Sequence, residues 1–226
     1  MDGSIQGVFL FRVQHTNAGL VTTFLLEDGR IENLYFKGGA KRSHNLFPLA
    51  HGELTVYQKS TGSMPNLTAF DLLDKNYDRD ALKMSMAFFV AELFLKCNRD
   101  FSDTNLYSFM LETIHQLDQG ELKYFPHQFI LQQLEISGIK PLLEIEKRGQ
   151  LLFDISEGVI GGIAANEKTA SARTTDLLVN LMSGKQVEST REERRVLLDT
   201  LIQYLHYHMP GIGTIKSYDV IKDLLS

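Results

Sequence analysis

A chain of 226 residues with a net charge of −5 and one cysteine is long enough to bury roughly 70% of its unfolded surface, as one large domain or two small ones. The single Cys97 excludes a disulfide framework and a four-thiolate zinc site. The acidic balance argues against wholesale wrapping by nucleic acid, but screening over about 8–10 Å leaves room for a local basic face.

No apolar run approaches the roughly 18 residues of a membrane span. Acidic Asp2 stands where a signal peptide carries positive charge. The expectation is a soluble protein of a reduced, cytosolic compartment.

The first 75 or so residues read as strands. "GVFLFRVQHT" is rich in β-branched and aromatic residues, and "GLVTTFLLE" follows a turn at Asn17-Ala18-Gly19. Asp28-Gly29 is a strong hairpin signal and leads into "RIENLYFKG". "ENLYFKG" looks like a protease-recognition linker, yet Lys37 replaces the glutamine such a linker needs. The segment also fits its surroundings, with Ile31 and Tyr35 on one face and Leu34 and Phe36 on the other. "LFPLAHGELTVYQKS" predicts a long fourth strand, whose Pro48 and Gly52 mark an edge or a bulge, and "NLTAFDLLD" a fifth. Five strands in so short a stretch close most economically into an OB-type barrel; an SH3-like barrel fits the periodicity equally well.

From Asp80 the period becomes helical. "DALKMSMAFFVAELFLKC" is apolar on both sides, which predicts a helix buried all round. A second helix aligns Leu106, Met110, Thr113 and Leu117 and stops at Gly120. A third has Pro126 in its first turn and Gly138 just past its end. Further helices cover about Thr174 to Met182 and Thr190 to His208, the latter with Ser189 and Glu192 at capping-box spacing. Between the third and fourth, about 142–163, the sequence is irregular or hairpin-like. The predicted class is α+β: an OB-fold β-barrel over 1–78, then an all-helical domain over 79–226 with that short insertion.

Candidate sites are few. "GVIGGIAA" lacks the spacing of a dinucleotide fingerprint and reads as a loop; "PGIGTIKS" lacks the strand and glycine of a phosphate loop and reads as a turn into a short helix. His206 and His208 do not have the i, i+4 spacing of zinc ligands. No nucleophile has an identifiable partner, and no carboxylate pair has a spacing that demands acid–base work, so an enzyme is poorly supported. The basic cluster is different. Lys37, Lys41 and Arg42, jointed by Gly38 and Gly39 and followed by His44, suit a loop that approaches a phosphate backbone. Arg12 adds charge, and Tyr35 and Phe36 add stacking surface.

Four stretches then carry a resemblance: "GLVTTFLLEDGRI", the Lys-Gly-x-basic-basic loop in "KGGAKRS", "LFPLAHGELTVYQK" with its Pro-Leu pair, and "HMPGIGTIKSYDVI" with Lys216-Ser217. In order and spacing, over nearly the whole chain, they resemble the bacterial RecO family of recombination mediators. The resemblance implies an OB barrel followed by a helical domain, no catalysis and no cofactor. It implies binding of single- and double-stranded DNA, annealing of single strands, and docking of the acidic C-terminal tail of single-strand-binding protein. It also implies pairing with RecR to help load RecA, in a cytoplasmic, nucleoid-associated setting. DNA binding would fall to Arg12, Tyr35, Lys37, Lys41, Arg42 and His44, and tail binding to a cation among Lys123, Lys147 and Arg148. One departure stands out. Many members carry a four-cysteine zinc module after the third helix, whereas Glu144 to Gly162 contains no cysteine, so no zinc is expected. The competing expectation is a protein-interaction scaffold that never touches DNA.

Overall fold

The computed structural model describes residues 2–15, 19–39, 43–58, 60, 62–73, 80–144, 150–162, 165–185 and 187–224. Packing divides the chain into two compact units, 1–120 and 121–226.

The first unit begins with strands β1 (Asp2–Gln14), β2 (Gly19–Leu26), β3 (Ile31–Lys37), β4 (His51–Tyr57) and β5 (Asn66–Leu72). They close into a barrel in the order β1-β2-β3-β5-β4. Strand β1 makes closure work by serving two partners: Asp2 to Val8 pair with β4, and Gly7 to Gln14 with β2. Strands β3 and β5 meet in parallel at Tyr35 and Asn66. This closure is that of an OB barrel, which the hydrophobic period alone could not separate from an SH3-like one. The interior holds Phe9, Phe24, Leu26, Leu34, Phe36 and Leu54. Burying each of these side chains stabilises the barrel by about 1.5–3 kcal/mol.

A β-bulge interrupts β1. Phe9 pairs with Phe24, but Phe11 pairs with Thr23, so Leu10 is an extra residue. Without it, plain alternation would place Phe11 and Val13 on the core face with Phe9. With it, they turn outward, and they stand 52% and 47% exposed.

The hairpin at Asp28-Gly29 is a three-residue loop. The Gly29 amide donates to the Leu26 carbonyl at 2.9 Å and the Leu26 amide to that of Arg30 at 2.8 Å. Gly29 has φ 82°, a left-handed backbone that glycine adopts without steric cost.

The expected long fourth strand is shorter. Ser43–Asn45 form a 3₁₀ turn, and only His51–Tyr57 are β. Leu49 breaks the run with φ 62°, while its amide donates to the Phe9 carbonyl at 2.9 Å and its side chain is fully buried. Gly52 marks neither an edge nor a bulge, since β4 pairs on both sides there. A β-carbon at Gly52 would lie 2.5 Å from the Asp71 carbonyl oxygen, so the glycine permits close approach. The irregularity in β4 falls at Thr55 and Val56 instead.

Two helices complete this unit. Helix α1 (Ala81–Asn98) is capped by the Asp80 carboxylate, which accepts from the Lys83 amide. It packs on β1. It is not buried all round: Phe88 is 54% exposed, because α1 covers the barrel with one side only. Helix α2 (Thr104–Gln119) buries Leu106, Met110, Thr113 and Leu117 as their spacing requires and ends at Gly120. Tyr107 and His51 share a 2.7 Å hydrogen bond that ties α2 to β4, and the Lys83 ammonium donates to the Asp118 carbonyl, tying α1 to α2.

The second unit contains helices α3 (Phe125–Ile136), α4 (Ala172–Met182), α5 (Arg191–His208) and α6 (Tyr218–Leu224). The insertion, expected to be irregular or hairpin-like, is a three-stranded sheet in the order β6-β8-β7, made of β6 (Leu142–Leu143), β7 (Leu152–Asp154) and β8 (Val159–Gly161), with β7 and β8 paired antiparallel as a hairpin. "GVIGGIAA" is therefore a strand at its start rather than a loop throughout. The capping box of α5 is Thr190 and Glu193, one residue beyond the expected pair. Arg173 explains the choice: its hydrogen bond at 2.8 Å, aided by the Thr190 contacts, holds the Glu193 carboxyl down to about 2. Leu197, Leu201, Tyr204 and Leu205 face inward as expected.

Candidate nucleic-acid interface

The open end of the barrel carries the residues of interest, and strand register sorts them. Leu20, Leu34 and Phe36 belong to the core, so their neighbours Val21, Tyr35 and Lys37 lie on the outer face. Across β1, β2 and β3 that face reads in three rows. Phe11, Thr23 and Asn33 form the first, and Val13, Val21 and Tyr35 the second. In the third, the His15 amide donates to the Gly19 carbonyl, and Gly19 pairs with Lys37. The His15 and Tyr35 rings meet edge to face with centroids 5.8 Å apart.

Elsewhere the same outer surface is closed. Val8 and Leu25 also point away from the core, yet both are fully buried on the side where α1 packs. Beyond them Phe11, Val13, His15, Asn33 and Lys37 are exposed, Val21 and Tyr35 are half-buried, and Thr23 is buried.

Charge is distributed unevenly over this face. Lys37 and His15 stand at one end. At the hairpin end, Arg30 is held by Asp28 at 2.8 Å and by Glu32 at 3.1 Å. Burial pushes the Asp28 carboxyl up, but hydrogen bonds and charge from Arg30 outweigh it and hold the group below its ordinary value. That guanidinium is already compensated, and its partner Glu32 stands opposite core residue Phe24.

Of the expected DNA-binding residues, the described ones, Arg12, Tyr35, Lys37 and His44, fall on two sides of this mouth. Tyr35 is half-buried on the outer face, and Lys37 is exposed at the end of β3. Lys37 and Gly38 also border an open groove of about 530 Å³ with Asn66, Leu67 and Thr68. Arg12 projects from the opposite side of β1, and its Nη1 donates to the Ser43 carbonyl at 3.3 Å, next to exposed His44. Lys41 and Arg42 lie outside the described residues. Phe36 corrects an expectation. It is 3% exposed, and a β-carbon at Gly39 would touch its ring, so it is core and offers no stacking surface. The exposure of Phe11 and Val13 was not legible in the sequence, because the bulge at Leu10 turns them out.

In the second unit, Lys123 borders a cleft of about 180 Å³ together with Glu121, Tyr124, Gln128, Leu181, Gly184 and Lys185. Its ammonium lies 5.6 Å from the centroid of the Tyr124 ring. The Tyr124 hydroxyl bonds Ser189 Oγ at 2.6 Å and the Val187 carbonyl at 3.0 Å, which fixes that wall. Lys147 and Arg148 lie outside the described residues.

Other chemistry-bearing side chains have structural roles. Burial pushes the Cys97 thiol up to about 12 despite neighbouring Lys96, leaving it inert. His206 bonds the Ile202 carbonyl, and His208 that of Ile155 at 3.0 Å. Among the described residues, no group of three histidine, cysteine or carboxylate side chains could hold a metal ion, and no helix is long and apolar enough to cross a membrane.

No family model matches the chain. Curated relatives do. The DNA repair protein RecO of Porphyromonas gingivalis is 26% identical over 223 residues, covering 89% of each chain. That of Flavobacterium psychrophilum is 22% identical over 223 residues, covering 92% of each. That of Phocaeicola vulgatus is 25% identical over 156 residues, covering 65% of this chain and 64% of its own. The chain is thus similar, along about nine-tenths of its length for the first two, to proteins named DNA repair protein RecO, and it has an OB barrel followed by helices.

Proposed function

We propose that the chain is a non-catalytic DNA repair protein that binds and anneals single-stranded DNA and, with RecR and single-strand-binding protein, helps load RecA. DNA binding is assigned to the barrel, 1–78, and partner binding to 79–226. The observation that carries the reading is the ring-bearing outer barrel face with Lys37 exposed at one end, on a chain whose relatives are named for DNA repair. Arg12, Lys37, Lys41 and Arg42 hold the phosphate backbone, with His44 and Tyr35 beside them. Neutralising the repulsion between two strands held together promotes their annealing.

Fluorescence anisotropy with a labelled oligonucleotide tests this. About four phosphate contacts give a slope of log affinity against log salt near −3, roughly a fifty-fold loss between 50 and 200 mM. A flat salt response refutes the DNA-binding reading and favours the scaffold that does not touch DNA.

The Lys123 cleft supports the partner role. Two lysines against one carboxylate, Glu121, leave a net positive cleft beside a tyrosine wall, which suits an acidic peptide that ends in an aromatic residue. Calorimetry with such a tail peptide should show saturable heat, reduced in Lys123→Glu. No heat at high peptide concentration removes this assignment while leaving DNA binding untouched.

A further inference from the structure

The polar groups joined to Tyr124 form one directed chain. We propose that Ser189 and Arg194, which stand outside the lining of the Lys123 cleft, are positioning residues that fix the Tyr124 ring as its wall and thereby set peptide affinity. The proposal rests on the peptide-binding reading above and adds to it what holds that site in shape.

Donor and acceptor chemistry sets the direction of the chain. The Val187 carbonyl can only accept, so the Tyr124 hydroxyl gives it its one proton, at 3.0 Å. In the 2.6 Å contact between the two hydroxyls, Ser189 is therefore the donor and Tyr124 the acceptor. Nη1 of Arg194 completes the chain, donating to Ser189 Oγ at 3.3 Å and to the Ser189 carbonyl at 2.9 Å. Donation runs from Arg194 through Ser189 and Tyr124 to Val187, and bonds aligned in this way strengthen one another.

The ring is held as well as the hydroxyl. Fully buried His127 meets the Tyr124 ring edge to face with centroids 5.6 Å apart, and its Nε2 donates to the Arg194 carbonyl at 2.7 Å. Both routes lead to Arg194, in the first turn of α5. Arg173 of α4 pins the same segment, donating from Nε to Glu193 and from Nη2 to the Glu188 carbonyl, each at 2.8 Å. Because α4 also carries Leu181, both walls of the cleft are referred to residues 187–194. A peptide that packs on a wall already fixed does not have to order it, and ordering one side chain on binding weakens affinity about two- to tenfold.

The test is calorimetry of the full chain with a synthetic acidic peptide that ends in phenylalanine. Ser189→Ala and Tyr124→Phe should each weaken binding about fivefold. The double variant should be no weaker than either, because both substitutions cut one chain. Ser189→Thr keeps the hydroxyl and should restore parent affinity. Thr200→Val removes a buried hydroxyl elsewhere in α5, one that donates to the Val196 carbonyl at 2.8 Å, and should lower the urea midpoint without changing peptide affinity. Parent affinity in Ser189→Ala or in Tyr124→Phe overturns the positioning role alone. Additive losses in the double variant overturn it as well, since the two hydroxyls then act separately, as does failure of Ser189→Thr to restore binding. An equal loss in Thr200→Val also overturns it, since general weakening of α5 then suffices. A parent chain that gives no heat overturns the positioning role together with the reading beneath it.

Discussion

Gly29 lies so close to Asp103 that a β-carbon on the glycine would fall 2.0 Å from the Asp103 carbonyl oxygen. The β2–β3 turn thus rests directly on the start of α2, where the Asp103 carboxylate accepts from the Asn105 amide at 2.9 Å. Barrel register and helix position are coupled through this contact. Gly29→Ala should destabilise the first unit by about 3 kcal/mol, combining a strained left-handed backbone with overpacking. Gly62 has φ 87°, and a β-carbon there would meet nothing within 4 Å, so it isolates the backbone part. Gly62→Ala should cost only about 1 kcal/mol. Urea unfolding of both variants measures the difference, and equal losses would show that Gly29 is not a packing contact.

His127 in α3 is fully buried, and its Nε2 donates to the Arg194 carbonyl at 2.7 Å. Burial pushes its imidazolium down to about 4, with the Arg194 charge adding to the effect and backbone contacts opposing it. The folded value lies below the unfolded one of about 6.5, so the unfolded chain binds the proton more readily between them. Stability from this group is complete above about pH 6.5 and is lost as pH falls toward 4, by up to about 3 kcal/mol. Urea midpoints between pH 7 and 4.5 should fall for the parent and fall less for His127→Leu. Parallel curves would assign the acid sensitivity to other groups.

Asp154 organises the turn that joins β7 to β8. Its Oδ1 accepts from the Ser156 amide at 2.9 Å and hydroxyl at 2.8 Å and from the Glu157 amide at 3.0 Å. Burial raises its carboxyl, but these bonds, with help from Asn166, outweigh that and hold it below the ordinary carboxylate value. The stabilisation is present above the unfolded value of about 3.9 and is lost as pH falls below it through the folded one. Asp154→Ala should cost about 2 kcal/mol, with faster amide exchange at Ser156 and Glu157. Unchanged exchange at those two amides would show that the turn holds its shape without the carboxylate.

Cations at the barrel mouth should differ in their effect on DNA affinity. Arg30 is held by Asp28 and Glu32, whereas Lys37 is exposed at the end of β3. Lys37→Ala should reduce the magnitude of the salt slope by about 0.7, the share of one single-strand phosphate contact. Arg30→Ala should leave the slope unchanged. Lys41→Glu with Arg42→Glu should weaken binding more than either. Equal slopes for all of these variants would remove the phosphate assignment.

Local pattern predicted much of this fold because the governing interactions are local. Alternation put Leu34 and Phe36 on one face and Tyr35 on the other, since a paired strand has only two faces, and the barrel then buried the first of them. Asp28-Gly29, Asp80, Gly120 and Pro126 marked element boundaries through backbone conformation and capping, which depend on a few neighbouring residues. Charge and turn chemistry singled out Lys37 and Arg12 as candidates, and both are exposed. The exposure of Phe11 and Val13 was not legible, and Phe36 was misplaced, because exposure depends on strands and helices distant in sequence.

The sequence by itself determined the strand-then-helix order, the hairpin at Gly29 and the inward stripes of α2 and α5, through periodicities that need no distant partner. Only the tertiary structure decided that β1 pairs with both β2 and β4, that β3 meets β5 in parallel, and that Leu10 bulges. Those choices depend on closing one barrel with a single continuous core. An extra residue that turns Phe11 outward is favourable only when the partner strands are already in place.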